Sequence, residues 1–502
     1  MPEKSSSKTS LSSSWNRWSK SLAENALVGR RAAKKQLQRI SDRRFSIGIT
    51  GLSRSGKTTF ITSLINQLLQ GESAKLGGFA PAMDQRLLGA KIHPLDDLPL
   101  FPYQASLANL TEAHPQWPEA TRGISGCLLE LKLAKKDANF NPLKREYYSC
   151  WIEIRDYPGE WLLDLQLLEM SFADWSAWYA ELFNRTERGQ QLAKKISSLA
   201  PLASFDQSEL NKLIIEFSEY LLDAKAQGFS QIFPGRFLTG DWSAATGQSD
   251  DASSQLAQAD LCNFIPLTGA KSWSLEQLEN AEENSWYKVC KKHYQQYVDQ
   301  LVKPFYSEFF SKIDRQIILV DLIASLNGGP DKLQDTRQAL SGISRSFSYG
   351  KQGKLARLFS PKIDKVLFVA SKIDQLVASD HEAMRQLLAE VVQAAYRQAR
   401  HQGVTPAIEA ISAIRASKET INQGQAAIVG HNAQGQPIGY VHPPIPEQIP
   451  ANTEQGQLVW QPFIEWKIPL LSPPAALAGQ HNACLPHIRL DSLLQVIVGD
   501  KL

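Results

Sequence analysis

The sequence predicts an α/β fold: a mainly parallel sheet with one antiparallel edge hairpin, covered by helices and interrupted by a large α-helical insertion. Three observations predict it. Strand-like FSIGIT runs through the glycine-rich GLSRSGKT into the helical pattern KTTFITSLINQLL, a strand–loop–helix unit. Apolar, strand-like segments alternate with helical patterns in the later part of the chain, as in a parallel sheet with both faces covered. Residues 160–314, between two such strands, are mostly helix-compatible.

At 502 residues the chain is too long for one simple core. Its 43% hydrophobic and 21% charged residues are ordinary for a globular protein. Cys127, Cys150, Cys262, Cys290 and Cys484 are scattered and show no C-x-x-C spacing. That argues against a disulfide framework or a zinc site and suits a reducing compartment. No apolar run approaches the roughly 18 residues of a membrane span, and the Ser-rich start lacks the apolar core of a signal peptide. A cytoplasmic protein is expected, with peripheral contact at the inner membrane as an addition.

That addition comes from the first element, the basic arm 1–44. Residues 1–45 hold eleven Lys/Arg against three Asp/Glu, a net +8, which leaves −5 for the other 457 residues. Trp15, Trp18 and Leu22 share one helical face amid Arg17, Lys20, Arg30, Arg31, Lys34 and Lys35. Such a helix suits an anionic membrane surface, and it equally suits docking on the body with the basic face solvated. Nucleic acid is disfavoured, since no base-reading module follows.

The nucleotide-binding part opens at Phe45 and runs to Gly159. Its most specific signal is Gly51 to Thr58, G-x-x-x-x-G-K-[ST] in its required setting after a strand and before a helix. Gly51, Ser53, Arg54, Ser55, Gly56, Lys57, Thr58 and Thr59 are therefore expected to cradle phosphates. Backbone N–H groups turn inward, Lys57 reaches the β/γ oxygens, and Thr58 ligates Mg²⁺. GCLLELKL (126–133) and YYSCWIEIRD (147–156) read as the antiparallel hairpin, with turn chemistry in KKDANFNP. The second strand ends in D-x-x-G, where Asp156 would hold Mg²⁺ through water and the Gly159 N–H would sense a γ-phosphate. Thr121, ahead of the first hairpin strand, would close over Mg²⁺ and the γ-phosphate; a plain loop threonine is the other reading.

After the insertion, strands are expected at RQIILVDLI (315–323), VLFVAS (366–371) and AIEAIS (407–412). The tetrapeptide SKID occurs twice, at Ser311–Asp314 and Ser371–Asp374. The first copy closes a helical stretch and precedes a strand, the wrong end of a parallel sheet for a ligand. The second follows a buried strand at its carboxyl end, where open α/β sheets bind ligands. There the Lys372 stem can lie on a guanine face while Asp374 accepts from its N–H edge. Ser371 stands where asparagine or threonine is commoner. The next strand ends in Ser412-Ala413-Ile414, a small turn able to offer N–H groups to the guanine O6. Residues 420–502 are expected to form a hairpin around Asn432–Gly435 and a terminal helix packed on the nucleotide-binding domain.

The order G-x4-G-K-T, D-x-x-G, S-K-x-D, S-A is the signature of the regulatory GTPase superfamily, a P-loop NTPase G-domain. With GITGLSRSGKTTFITSLINQLL, IRDYPGEWLLDL, LVDLIASLNGG, FVASKID and HIRLDSLLQVIVGDKL, the chain resembles the YcjX-like family of bacterial P-loop proteins over nearly its whole length. The resemblance implies a GTPase-like domain with a large helical insertion after D-x-x-G. It also implies an association with cell-envelope stress and with an inner-membrane protein partner.

The expected activity is Mg²⁺-dependent hydrolysis of GTP to GDP, used as a conformational switch. Glu160 stands where many regulatory GTPases carry a water-orienting glutamine, and Arg54 or Arg122 would neutralise transition-state charge. Two alternatives stay open. One is a nucleotide-stabilised scaffold with little turnover, for which Trp161, Trp175, Trp178 and Tyr179 would supply a partner surface. The other is an ATP-using kinase.

Overall fold

The computed structural model describes residues 43–52, 54–71, 75–119, 123–135, 146–238, 260–347, 363–451, 453–480 and 482–502. The basic arm with Trp15, Trp18 and Leu22 lies outside the described residues, as do Ser53, Thr121 and Arg122.

Seven strands form the main sheet. They are β1 (Arg44–Gly51), β2 (Leu87–His93), β3 (Ser125–Ala134), β4 (Tyr147–Asp156), β5 (Arg315–Val320), β6 (Lys365–Ala370) and β7 (Thr405–Ala410). Their spatial order is β2-β3-β4-β1-β5-β6-β7. Strand β1 lies parallel to β4 and β5, and β5, β6 and β7 continue in parallel. The expected hairpin is there, with Ser125 opposite Asp156 and Ala134 opposite Tyr147. It is not the sheet edge, however: β2 pairs antiparallel outside β3, with a register shift at Leu87/Gly89. LLGAKIH has only one β-branched residue and a glycine, so its sequence gives little strand signal.

Strands β5 and β6 are apolar on both sides because both faces are covered. One face packs on α1 (Lys57–Gln70), α2 (Tyr103–Thr111) and the terminal helix, with Ile49, Phe60, Ile317, Leu367 and Leu494 in a common core. The other face, with Ile318, Val320 and Phe368, is continuous with the core of the helical region.

Between β4 and β5 the described residues are mostly helical. In chain order the longer elements are α3 (Gly159–Asp164), α4 (Phe172–Leu182), α5 (Glu187–Ser197), α6 (Gln207–Ala226) and α7 (Trp286–Tyr297). Their starts are written in the sequence. Ser171, Thr186, Asp206 and Ser285 each accept from first-turn N–H groups, and Ser171 with Asp174 completes a capping box. The helix after Tyr297 continues through π turns at Val298–Val302 and Phe305–Phe309, on either side of Pro304, whose missing N–H disturbs the ladder. Trp161, Trp175 and Tyr179 are fully buried, and Trp178 stacks on Phe233 at 4.3 Å. Trp161, Trp175 and Tyr179 belong to the core of the helical region and half-buried Trp178 packs against it, so the first three are not available as a partner surface.

Beyond β5 come α8 (Leu322–Asn327), α9 (Pro330–Ser346), α10 (His381–Val391) and α11 (Gln393–His401), then α12 (Glu454–Glu465) and α13 (Leu490–Val498). A three-stranded antiparallel sheet, β8 (Lys418–Asn422), β9 (Gln425–His431) and β10 (Pro437–Tyr440), contains the hairpin read around Asn432–Gly435. Its first strand adds to that hairpin through a tight Gln423-Gly424 turn, both residues having positive φ. Among the described residues no helix is long and apolar enough to cross a membrane.

Candidate functional site

The site lies at the carboxyl ends of β1, β4, β5, β6 and β7. Strand β1 delivers Gly51, where a Cβ would sit 1.9 Å from Ser55 Oγ, so a side chain there has no room. The loop then turns through two left-handed residues, Arg54 (φ 60°) and Gly56 (φ 80°). Ser55 N–H donates to the Leu52 carbonyl at 3.1 Å, and α1 starts with Phe60 N–H donating to the Gly56 carbonyl at 2.9 Å. The N–H groups of Lys57, Thr58 and Thr59 thus belong to the first turn of a helix and point out of its positive end. Arg54 is exposed, Ser55 and Thr58 are buried, and Thr59 is half-buried.

Strand β4 brings Asp156 beside this loop. Asp156 is fully buried, pairs with Lys57 Nζ, and accepts from Ser125 Oγ at 3.4 Å. Gly159 then opens α3 directly against the loop: a Cβ on it would lie 2.1 Å from the Gly51 carbonyl oxygen. Gly159 is therefore required by close approach of backbone to backbone, whereas Gly51 makes room for the Ser55 side chain. Glu160, next in the chain, is turned toward the helical region, where its carboxylate pairs with Lys225 of α6 at 2.7 Å.

The other half of the site follows β6. Ser371 N–H donates to the Val320 carbonyl at 3.0 Å. Lys372 adopts a left-handed conformation, φ 64°, and its Nζ pairs with Asp321 Oδ2 at 2.6 Å. A Cβ on Gly56 would come within 3.9 Å of Lys372 Cε, so the lysine stem runs beside the glycine-rich loop that follows β1. Asp374 is 6% exposed and accepts from Ser412 Oγ at 2.5 Å and Ala416 N–H at 2.9 Å. Burial pushes its carboxyl above the usual range, and the Ser412 and Ala416 hydrogen bonds oppose that rise. A carboxylate has about four lone-pair positions, so two accepted bonds leave capacity for a ligand.

The Ser412-Ala413-Ile414 turn is pinned from three sides. Ser412 N–H donates to the Ile488 carbonyl at 3.0 Å, the Ser412 hydroxyl spends its one proton on Asp374, and Ser63 Oγ of α1 donates to the Ala413 carbonyl at 2.6 Å. The Ser412 N–H is thus spent on Ile488. The segment that supplies Ile488 is also tied to α1, where buried Asn66 accepts from Leu485 N–H at 2.9 Å and Gln67 donates to the Leu485 carbonyl at 2.7 Å.

The first SKID lies at the opposite end of the sheet. Asp314 precedes β5 and accepts from Ser46 N–H at 2.8 Å, while Lys312 pairs with Asp97 at 2.8 Å. With Ile47 opposite Arg315 and Gly51 opposite Leu319, that aspartate lies about 16 Å of strand from the phosphate loop. Asp321, by contrast, stands at the carboxyl end of β5 and is not among the residues the sequence motifs single out. Its signal was an acidic residue directly after the apolar run IILV.

A family model, the YcjX-like family, DUF463, matches residues 45–502. The chain is 34% identical over 473 residues to the Ras-like GTPase YcjX of Escherichia coli (strain K12), covering 92% of this chain and 96% of that protein. It is 34% identical over 492 residues to the Ras-like GTPase YcjX of Shewanella oneidensis, with 93% and 96% covered.

Proposed function

The chain belongs to the YcjX-like family, and from that premise we propose that it binds GTP with Mg²⁺, hydrolyses it to GDP, and uses the difference as a conformational switch. One observation supports this above all: a phosphate loop and a lysine–aspartate pair stand side by side at the carboxyl ends of parallel strands, with Lys372 alongside Gly56.

Lys57 and the first-turn N–H groups of α1 would hold the β/γ-phosphates, with Lys57 exchanging Asp156 for phosphate oxygen. The Asp156 carboxylate and Thr58 hydroxyl are hard oxygen donors of the kind Mg²⁺ takes, Asp156 acting through water and Thr121 completing the set. Mg²⁺ there would neutralise charge on the β/γ oxygens. Asp374 would accept from the guanine N–H edge, and Ala413 and Ile414 would donate to O6. Arg54, exposed at the loop, or Arg122 would neutralise charge at turnover.

The switch runs through α3. Gly159 N–H would meet the γ-phosphate, and the same short helix is bound to the helical region by Glu160–Lys225, by the Trp161 ring under Arg236 at 4.0 Å, and by Asp164. A shift of Gly159 is therefore a shift of contacts with α6 and α7. Glu160 is assigned to turnover and not to binding.

Phosphate release with GTP and with ATP, at matched concentration, tests the proposal. Release with GTP alone is expected. GTP binding without release would make the protein a scaffold, and release with ATP in preference would make it an adenine-nucleotide enzyme.

The switch is further proposed to serve a cell-envelope stress response, at the cytoplasmic side of the inner membrane and beside an inner-membrane protein. Residues 1–44, holding the net +8 read from the sequence, would meet anionic lipid. The full chain should co-sediment with anionic vesicles at low salt and less at high salt, and a chain starting at Phe45 should not. Equal sedimentation of the shortened chain would remove lipid from the proposal.

A further inference from the structure

Lys372 is a lysine held where an L-residue is rarely found, in the left-handed region at φ 64°. Its backbone is fixed by its neighbours: Ser371 N–H donates to the Val320 carbonyl, Ile373 N–H to the Ile411 carbonyl at 3.2 Å, and Gln375 N–H to the Lys372 carbonyl at 3.1 Å. Those bonds fix where the side chain starts but leave four methylenes and an ammonium free to wander. The far end is fixed by Asp321. Its Oδ2 takes the Lys372 Nζ at 2.6 Å, while its Oδ1 accepts from Ala324 N–H at 3.0 Å and caps α8.

Asp321 is itself well placed to be rigid. It follows β5 without a loop, is 9% exposed, and is held by its own cap, so its free oxygen has a set direction. Lys372 is 34% exposed along its side chain, so the stem between the two anchors keeps an open face. That stem passes beside Gly56 and leads from the base-reading turn toward the phosphate loop.

We propose that Asp321 is a positioning residue for guanine: by anchoring the Lys372 ammonium it keeps the lysine stem extended as the surface on which the base lies. This rests on the guanine-nucleotide reading above. Asp321 does not touch the nucleotide in this scheme, and it contributes through the base and not through the phosphates. A carboxylate is needed because the role is to hold an ammonium; an amide can cap α8 but holds the lysine less firmly.

The test uses the full chain and two probes with Mg²⁺, GTP and inorganic tripolyphosphate, each competed against labelled GDP. Asp321→Asn keeps an oxygen for the Ala324 N–H and should weaken GTP about tenfold while leaving tripolyphosphate unchanged. In a Lys372→Met background, Asp321→Asn should have no further effect on GTP, because the group it positions is gone. Equal weakening of both probes would make Asp321 merely structural and overturn the inference. Undiminished weakening in the Lys372→Met background would overturn it as well. A wild-type protein that binds GTP no better than tripolyphosphate would overturn the guanine reading itself, whereas a wild-type preference unaltered in Asp321→Asn would overturn this inference alone.

Discussion

Gly159 and Gly51 touch across the phosphate loop so closely that a methyl group on Gly159 would lie 2.1 Å from the Gly51 carbonyl oxygen. This contact makes the start of α3 part of the loop wall, and Asp156 three residues earlier completes that wall through Lys57. Gly159→Ala should therefore push α3 off the loop. A loss of about 1–3 kcal/mol in stability is expected from the overpacking, together with loss of GTP turnover. Urea midpoints and phosphate release measure the two; an alanine variant with wild-type turnover would mean that the approach of α3 is unnecessary.

Lys57 and Glu160 should separate binding from chemistry. Lys57→Ala removes the ammonium at the β/γ-phosphates and should abolish tight GTP binding. Glu160→Ala should leave GTP affinity within about twofold, since its carboxylate is engaged by Lys225, while lowering phosphate release by loosening α3 from α6. Equal loss of affinity in both variants would make Glu160 part of the binding site.

Asp164 should give the stability a pH dependence. It is fully buried, accepts from Gly235 N–H and Tyr297 O–H at 2.7 Å each, and is surrounded by Arg236, Cys262 and Glu160. Burial raises its carboxyl from 3.8 to about 7, against the lowering by Gly235, Tyr297 and Arg236. The folded state thus holds a proton that the unfolded chain releases near 3.8. Its contribution to stability is complete below that value and is lost as pH rises to about 7. Compared with Asp164→Asn, the wild type should lose a few kcal/mol between about pH 4 and pH 7 and run level above it. Parallel pH profiles for the two proteins would show that Asp164 is ionised in the fold throughout.

Much of this arrangement was legible because local signals agreed with the fold. The apolar strand, glycine loop and helix start of residues 45–70 specify one unit, and the caps at Ser171, Thr186, Asp206 and Ser285 announce their helices. Strand β2 was not legible, because Leu87–His93 gains its strand conformation by pairing with β3 and not from its own composition. Asp321 was missed for a related reason. An aspartate after a strand reads as a helix cap, which it is, and its second oxygen finds Lys372 only through the pairing of β5 with β6. That the two SKID copies lie at opposite ends of the sheet, by contrast, needed only the direction of the neighbouring strands. Within residues 160–314 the break at Asn280–Ser285 was hidden, since those residues are helix-compatible while α7 starts afresh at the Ser285 cap.

The measurement that tests the central claim most directly is the nucleotide preference of Asp374→Asn, with GTP and xanthosine triphosphate compared in one competition assay. Asparagine replaces an acceptor for the guanine N–H edge with an amide that can donate to xanthine. GTP binding should fall by about 2 kcal/mol, roughly 30-fold, and xanthosine triphosphate binding should rise. Asp314→Asn, which retains an oxygen for Ser46 N–H, should change neither. If Asp374→Asn keeps wild-type GTP affinity, the second SKID does not read the base, and the guanine-nucleotide assignment is wrong.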